Sequence, residues 1–568
     1  MKKKRGSHSK LILGIVLVLV CTFAWILFSA YSAKQLIAAL RAQDSAAVAS
    51  HSRTLKLSSH TLSILSFHKL PTIETIDGIL SIASKAQQAT DAIKAVQQSA
   101  STESIDLTEL LSLAVSVEDD SIQIEKNLPN CKLCARIIPE NTQNDVTRVL
   151  HTTQLAGNVA SSLQHGTHRF LILFQNSDEL RATGGFTGSY AVITLIDGVI
   201  QPISIADIYD ADGQFTGEIP APSGVKEYLS SDRGLRLPDA NWAPNFPTSA
   251  KQILQFFALG DQNTFDGVVA ITDSYFEDLL TVLGPIWLPD YQLTVTPENL
   301  TSVLRSNRED FFAGSIQKKH LLGQFQNQVL IAATDPDVDP TAILALTIQN
   351  MQAKNIQAYS SLEPLQEIFS ALEIDGKMFT QEATSSLAFV ESNVGINKAN
   401  KHIARAISLQ NSGSTLTARY FIENTNEPPG KTQLQNLVDM PEKVRTASDE
   451  AQHLAYVNYQ RVVYPSSWKI SNIDIPGSGT PQLHSNNQSL SPSIEVTETG
   501  FLVVVPEKNS TIVTITFDTR TPLTNSTLEL YKQPGTEPVP VWIEPLGTTP
   551  FSTKPTLILE KNHVTIMP

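Results

Sequence analysis

Residues 169–198 read RFLILFQNSDELRATGGFTGSYAVITLIDG, and this stretch predicts two strands joined by a glycine-rich loop. Residues 170–174 form a continuous apolar run, which is typical of a strand buried on both faces. Residues 190–196 form a second, β-branched run that ends at the turn dipeptide Asp197-Gly198. The stretch therefore indicates a sheet, with the loop between the two strands as its most unusual feature.

That loop has the composition of an anion-binding site. It holds three glycines, Gly184, Gly185 and Gly188. Glycines cluster where the backbone needs a positive φ or where a ligand comes close. Arg181 is the single positive side chain, and an arginine beside backbone N–H groups suits a phosphate or carboxylate. The alternative is a tight connection in which Arg181 pairs with Asp178 or Glu179.

Length and charge limit the class of protein. The chain has 568 residues, which indicates roughly three to four domains. Its hydrophobic content of 41% is enough for several cores. The net charge of −14 argues against a general nucleic-acid binder, because a phosphate backbone requires a clustered basic surface. The one dense basic run, residues 2–5, has another explanation.

That explanation is a membrane anchor. Residues 11–33 carry no charge, and a helix of that length rises about 34 Å, enough to cross a bilayer core. The basic residues before it predict that the tail, residues 1–10, stays cytoplasmic and that the bulk of the chain is exported. The alternative is a signal peptide cleaved near Ala30-Tyr31-Ser32.

Two cysteines outside this segment form a C-x-x-C motif, Cys131 and Cys134. A zinc site needs two further ligands at matching spacing, and no nearby Cys or His pair supplies them. Loop-forming prolines flank the motif, which does not fit a thioredoxin-like turn. A local disulfide is therefore predicted outside the cell.

The remaining pattern predicts a multidomain chain. Residues 34–139 have apolar positions at helical spacing and predict a helical stalk or bundle. Residues 140–345 alternate strands with helices and predict an α/β core domain. Residues 346–400 predict a helical connection, and residues 401–568 hold short strands separated by turn residues, which predict a β-sandwich.

Two further groups of charged residues in the core domain are candidate ligands. Three carboxylates could hold a divalent cation, or form a solvated acidic turn: Asp207, Asp210 and Asp212. Arg305 and Arg308 are spaced i, i+3, so both guanidinium groups can point the same way on a helix. The alternative for these arginines is pairing with Glu309 and Asp310.

Several unusual motifs recur here in the order found in a bacterial family. They are FLILFQNSDELRATGGFTGSYAVITLIDG, DANWAPNFPTSA, FDGVVAI with LLTVLGPI, and SNVGINKAN. With these motifs the chain resembles, over roughly residues 150–420, the family called domain of unknown function 4012. The resemblance implies a protein of the bacterial cytoplasmic membrane with its bulk outside, and it leaves the activity open.

The order of parts also resembles the LytR–CpsA–Psr family of extracytoplasmic enzymes, which move glycopolymers from polyprenyl-pyrophosphate carriers onto the cell wall. FLILFQNSDELR, PISIADIYD and ENLTSVLRSNREDF stand where that family has its arginine-bearing loop, an acidic segment and an arginine-rich helix end. The resemblance implies arginines that clamp a pyrophosphate and carboxylates that hold Mg²⁺. The predicted ligand-binding residues are Arg181, Gly184, Gly185, Asn241, Arg305 and Arg308, and the catalytic candidates are Arg181 and Asp207.

The chain departs from that second family at positions that matter for chemistry. Residues 187–189 replace its Arg-Ser-Asp-Thr motif, Ala206 stands where a Pro-Arg pair should be, and Asn307 replaces an arginine. This pattern favours a binder of a polyprenyl-linked glycan or lipid over an active phosphotransferase. The competing hypothesis is a non-catalytic surface protein for adhesion or assembly.

Overall fold

The computed structural model describes most of the chain beyond residue 103 and scattered helical positions between residues 75 and 95. The described ranges are 104–130, 140–230, 233–260, 264–300, 303, 316–333, 335, 337–379, 385–427, 454–477, 480–491, 494–523, 527–561 and 563–566. No described helix is both long and apolar enough to cross a bilayer. The predicted tail, membrane helix, cysteine pair and arginine pair (Arg305 and Arg308) lie outside the described residues.

The chain divides into two compact units, of which the first comprises residues 1–167 and 195–200. Its described elements are β1 (Ile105–Asp106), α1 (Thr108–Asn127), α2 (Glu140–Leu163) and β4 (Val199–Ile200). Helices α1 and α2 pack against each other, and β1 pairs antiparallel with β4. Asp106 Oδ1 accepts the backbone N–H of Thr108 at 2.9 Å, an Asx turn from which α1 begins.

The second unit, residues 168–194 and 201–568, contains the predicted sheet. Its strands lie in the order β5–β3–β2–β6–β9. Their bounds are β2 (Thr167–Asn176), β3 (Phe186–Ile196), β5 (Ser204–Asp207), β6 (Gly267–Thr272) and β9 (Ile356–Ser360). Strands β2 and β6 are parallel, whereas β9 is antiparallel to β6 and β5 is antiparallel to β3. The predicted strands at residues 170–174 and 190–196 are confirmed.

Helices alternate with these strands, as the sequence predicts. They are α3 (Ile208–Asp212), α4 (Val225–Tyr228), α5 (Phe246–Gly260), α6 (Asp273–Leu283), α7 (Ile316–Ala333), α8 (Pro340–Gln352) and α9 (Glu363–Ala371). Two short strands, β7 (Ile286–Leu288) and β8 (Leu293–Val295), form a separate antiparallel pair. Helix α5 buries Phe246, Ala250, Ile253 and Phe257, which share one face at helical spacing. This face belongs to the same hydrophobic core as the inward side chains of β2 and β6. A mixed α/β architecture follows from that packing.

The remaining strands form two six-stranded sheets that share one hydrophobic core, which is a β-sandwich. One sheet has the order β15–β16–β13–β10–β18–β21 and the other β14–β17–β12–β11–β19–β20. The first comprises β10 (Ser385–Asn393), β13 (Tyr456–Pro465), β15 (His484–Ser491), β16 (Ile494–Val505), β18 (Leu528–Tyr531) and β21 (His563–Ile566). The second comprises β11 (Ile403–Ser412), β12 (Thr415–Asn424), β14 (Lys469–Asp474), β17 (Asn509–Asp518), β19 (Val539–Ile543) and β20 (Leu557–Leu559).

The segment predicted as a helical connection, residues 346–400, contains the end of α8 and all of α9 but is not wholly helical. It contains β9, an outer strand of the mixed sheet, and β10, an inner strand of the sandwich. All nine residues of β10 are buried although five of them are polar. The apolar core of the α/β layer also includes Val394, Val457 and Tyr459 of the sandwich region. The two layers are therefore joined by a continuous core.

Candidate functional site

The loop predicted to bind an anion connects β2 to β3, and its residues 178–187 are all buried. Three backbone hydrogen bonds shape it, and the first joins Glu179 N–H to the carbonyl of Asn176 at 3.3 Å. Gly184 N–H donates to the carbonyl of Arg181 at 3.1 Å, and Phe186 N–H donates to the carbonyl of Glu179 at 2.9 Å. A buried loop must find partners for all its polar groups, and its side chains show where those partners are.

The guanidinium of Arg181 has protein partners on three sides. Its Nε donates to Asp239 Oδ1 at 3.0 Å, Nη2 donates to Glu179 Oε1 at 3.1 Å, and Nη1 donates to the carbonyl of Asn393 at 2.7 Å. The whole residue is only 1% exposed. The local alternative, pairing with Glu179, is what the structure contains, and Asp239 adds a second carboxylate. A ligand anion would have to displace one of these carboxylates, so the ligand role of Arg181 stays a prediction that this geometry does not favour.

The glycines of the loop allow neighbouring segments of the chain to pack closely against its backbone. A Cβ on Gly185 would lie 2.2 Å from the carbonyl oxygen of Asn176. Gly184 has φ +126°, and a Cβ there would lie 2.8 Å from Thr272 Cγ2. Since both neighbours belong to the protein, these glycines serve the close packing of backbone and not an open ligand surface.

Asn241, another predicted ligand residue, binds the same loop. Its Nδ2 donates to Thr183 Oγ1 at 3.1 Å and to the carbonyl of Gly185 at 2.8 Å. Gln357 of β9 donates to the carbonyl of Thr183 at 2.8 Å. The DANW motif therefore fixes the glycine loop through Asn241 as well as through Asp239.

The SNVGINKAN motif completes the arrangement from the sandwich side. Asn393 N–H donates to the carbonyl of Leu180 at 2.9 Å, and Asn400 Nδ2 donates to the carbonyl of Ser177 at 2.7 Å. Three of the motifs that carry the family resemblance thus meet at one place. We call this cluster the polar junction, and define it as Glu179, Arg181, Asp239, Asn241 and Asn393.

A fully buried second arginine, Arg461 of β13, strengthens the junction from the sandwich. Its Nη1 donates to the carbonyl of Trp242 at 2.7 Å, and its Nη2 donates to Ser392 Oγ at 2.9 Å. Its guanidinium carbon also lies 4.6 Å from the centre of the Trp242 ring, a cation–π contact. The DANW motif is therefore held by an arginine on each side.

Unpaired polar atoms mark the edge of the sheet beside the junction. Gln175 and Thr272 are register partners at the carboxyl ends of the parallel strands β2 and β6. Four buried side-chain atoms there have no hydrogen-bond partner among the described residues: Gln175 Oε1, Thr187 Oγ1, Asn241 Oδ1 and Thr272 Oγ1. The carboxyl edge of parallel strands is where α/β proteins commonly bind ligands. This edge is the strongest candidate for a ligand site in the described chain.

Replacing Thr187 by valine is expected to raise the free energy of unfolding by about 1 kcal/mol, because it removes a buried hydroxyl without a partner. Thr183→Val is the matched control. The hydroxyl of Thr183 accepts from Gln175 Nε2 at 3.0 Å as well as from Asn241, so its loss should destabilise by about 1–3 kcal/mol. Urea unfolding of both variants measures the difference. Equal losses in the two variants would show that Thr187 has a partner.

The carboxylates predicted to hold a metal have other partners. Asp207 Oδ1 accepts the backbone N–H of Tyr209 at 3.0 Å and begins α3. Asp212 pairs with Arg236 at 2.9 Å and accepts the N–H of Leu237 at 2.9 Å. Among the described residues no three His, Cys, Asp or Glu side chains are grouped as a metal site requires. The Mg²⁺ implied by the resemblance stays a prediction, and we derive no step through it.

The sequence analysis missed a buried charge cluster in the sandwich, centred on Glu391 of β10. Arg405 donates to both of its carboxylate oxygens, at 2.7 and 3.0 Å, and the hydroxyls of Tyr420 and Tyr456 donate to it as well. Burial alone would raise the pKa of Glu391, but Arg405 and the two hydroxyls outweigh it and hold the pKa below its usual value. The signal available in the sequence was a glutamate inside the apolar run LAFVES.

Three comparisons set the chain among known proteins. No curated protein matches its sequence. Among solved structures it is similar to protein gbs0355 from Streptococcus agalactiae, with 12% identity, a TM-score of 0.21, and coverage of 36% of this chain and 74% of the other. Lin1025 from Listeria innocua has 13% identity and a TM-score of 0.20, with coverage of 39% of this chain and 86% of the other. TagV from B. subtilis has 12% identity and a TM-score of 0.20, with coverage of 36% of this chain and 79% of the other. Likenesses this weak do not establish a shared fold, so the LytR–CpsA–Psr resemblance stays a prediction.

The comparison with protein families gives a definite result within the stretch that carries the motifs. The matched segment is narrower than the expected residues 150–420, and it includes the glycine loop, the DANW motif and β6. Of the polar junction it holds all but Asn393. Residues 165–308 of this chain match the family described as Protein of unknown function (DUF4012), as the sequence motifs predicted.

Proposed function

We propose that this chain is an extracytoplasmic cell-envelope protein, anchored in the bacterial cytoplasmic membrane by residues 11–33, that acts as a non-catalytic scaffold for adhesion or assembly. The observation that carries the proposal is the polar junction. Its arginine and asparagine side chains, which are the residue types a phosphate site would use, bind the protein's own carboxylates and carbonyls.

A scaffold needs domains that hold a fixed relation to each other, and this junction is suited to that task. The motif residues bridge the mixed sheet and the sandwich by charge-assisted hydrogen bonds in a dry environment, where such bonds are strong and directional. A binding site needs the reverse, namely polar groups whose partners are missing until the ligand arrives. Arg181 has its partners already.

The second candidate is binding of a phosphorylated, polyprenyl-linked glycan or lipid, and it rests on the unpaired atoms beside β2 and β6. Those atoms are oxygens of amide and hydroxyl groups. The two amide oxygens accept hydrogen bonds, and the two threonine hydroxyls both donate and accept, so the set suits the hydroxyl groups of a glycan, which also do both. All four atoms are buried, so binding there would require the covering loop to open.

Binding measurements on the full-length chain in detergent separate the two candidates. For a scaffold we expect no retention of polyprenyl phosphate or of lipids from a bacterial extract, as detected by native mass spectrometry. Retained lipid that is lost in Thr187→Val would favour the binding candidate, because that substitution removes a candidate ligand atom without removing a hydrogen bond inside the protein. Retention that is equal in both proteins would point to a surface elsewhere.

The predicted topology has its own test. Protease added outside intact spheroplasts is expected to digest the chain, because the basic tail should keep only residues 1–10 in the cytoplasm. Removing residues 1–33 should leave the protein in the soluble fraction. A chain that resists external protease until the membrane is permeabilised would contradict the proposed topology.

A further inference from the structure

A small cavity with room for about one water molecule lies between the mixed sheet and the sandwich. On the α/β side it is lined by Lys354 and Gln357, and on the sandwich side by Tyr531 and Lys532. Apolar side chains form most of the remaining wall, including Met378, Phe389 and Val390. Two lysines lining one small cavity is an arrangement that neither the polar junction nor the proposed function uses.

Lys532 is 3% exposed, and its ammonium group is fully engaged. Nζ donates to the carbonyl of Thr536 at 2.7 Å and to the carbonyls of Ala353 and Gln533 at 3.3 Å each. Three acceptors match the three protons of an ammonium group. These carbonyls are neutral. Burial lowers the pKa of Lys532 to about 8, and the attraction of the Glu537 carboxylate opposes that shift.

Lys354 is 5% exposed and has no such set of acceptors. Its Nζ lies 5.0 Å from the centre of the Tyr531 ring, and no described residue accepts a hydrogen bond from it. Its backbone has φ +63°, a left-handed conformation that a lysine rarely adopts. The structure thus holds a buried ammonium group beside a cavity, on a strained backbone and with free donors.

The surrounding charges leave this group incompletely balanced. Burial, then repulsion by Lys532, lowers the pKa of Lys354 to about 7, against the attraction of Asp375, Glu529 and Glu373. Two of these carboxylates already have partners of their own. Asp375 lies 2.7 Å from Lys377 Nζ, and Glu529 lies 3.2 Å from His563 Nε2.

We propose that this cavity is a binding site for a small monovalent anion of chloride size, held by Lys354 Nζ within the positive field of Lys532. The volume excludes phosphate and larger anions. The apolar walls favour an ion that gives up its water easily, and the free protons of Lys354 supply its hydrogen bonds. The proposal is independent of the scaffold function, because it rests on the cavity and its two lysines alone.

The anion is tested by thermal unfolding of the full-length chain at pH 6.5, in sodium chloride and in sodium gluconate of equal ionic strength. Gluconate is too large for the cavity. Chloride is expected to raise the midpoint temperature of unfolding by about 2 °C for each tenfold increase in its concentration, once that concentration exceeds the dissociation constant. The shift should shrink toward pH 8.5, because Lys354 loses its proton through its pKa of about 7 and Lys532 through its pKa of about 8.

Lys354→Met should abolish the chloride dependence, while Lys508→Met, at an exposed lysine paired with Glu427 between β16 and β17, should keep it. Chloride binding to the wild-type protein is measured independently by the width of the ³⁵Cl resonance, so the test stands even if Lys354→Met does not fold. Specific broadening at pH 6.5 that bromide displaces and that disappears by pH 8.5 is the expected result. Wild-type protein with equal midpoints in both salts and no displaceable broadening would overturn the proposal, as would an unchanged chloride effect in Lys354→Met.

Discussion

Replacing Arg405 by methionine is expected to lower the free energy of unfolding by about 3–5 kcal/mol, the range for removing one partner of a buried ion pair. Glu391 is 0% exposed and would lose both charge-assisted hydrogen bonds from Arg405. Only the hydroxyls of Tyr420 and Tyr456 would remain to solvate a carboxylate in the sandwich core. Urea unfolding of the full-length chain at pH 7, followed by tryptophan fluorescence, measures the loss.

The pH dependence of this variant has a defined sign. In the wild-type protein the lowered pKa of Glu391 contributes stability that is present above its ordinary value of 4.5 and is lost as the pH falls through the folded-state pKa. Without Arg405, burial dominates and raises the pKa, so the carboxyl group protonates more easily in the folded chain. The deficit of Arg405→Met should therefore be smaller at pH 5 than at pH 7.

An exposed ion pair provides the matched control. Lys508 lies 2.5 Å from Glu427, and their side chains are 49% and 83% exposed. Lys508→Met removes the same kind of partner from a solvated carboxylate and is expected to change stability by less than about 1 kcal/mol. Equal effects of Arg405→Met and Lys508→Met would contradict the assignment of the buried cluster as a major source of stability.

Elements with a strong local pattern were predictable from the sequence. The apolar run at residues 170–174 and the turn at Asp197-Gly198 both appear as expected, because each pattern is satisfied by neighbours close in the chain or by a single core face. Asp197 and Gly198 have φ values of 47° and 81°, as a tight hairpin turn requires. The secondary structure of these elements is therefore determined by residues that are close in the sequence.

Strand β10 was not predictable because its polar residues conflict with its burial. A strand that carries Ser385, Ser386, Glu391, Ser392 and Asn393 resembles a loop or a solvated surface when it is considered alone. It is buried because other segments supply partners. Ser392 N–H, for example, donates to Asn458 Oδ1 on the neighbouring strand at 3.0 Å.

The role of Arg181 shows the same limit at the candidate site. The same local sequence, an arginine beside glycines, is compatible with binding either a ligand or a carboxylate of the same chain. In the structure Arg181 donates hydrogen bonds to Asp239, 58 positions away in the sequence, and to the carbonyl of Asn393, 212 positions away. Only tertiary structure brings those groups together, so the sequence correctly identified a cluster of motif residues and could not assign its partner.

The close approach of two loops leads to the second large effect. Gly535 lies in the turn between β18 and β19, has φ +72°, and packs against the glycine loop. A Cβ at this position would lie 1.9 Å from the carbonyl oxygen of Gly184 and 2.7 Å from its carbonyl carbon. Gly535→Ala is expected to destabilise the protein by about 2–5 kcal/mol. This loss combines the strain of alanine in a left-handed conformation with the displacement of the Gly184 backbone by the added Cβ.

Gly413→Ala separates the two contributions. Gly413 has a similar φ of +62° in the turn between β11 and β12, but nothing lies within 4 Å of the position that a Cβ would take, so alanine there adds only the backbone strain of about 1–2 kcal/mol. Because Gly535 touches the glycine loop, hydrogen exchange in residues 180–186 should also become faster in Gly535→Ala and not in Gly413→Ala. If both variants lost the same stability with unchanged exchange, the contact between Gly535 and Gly184 would not hold the mixed sheet and the sandwich together.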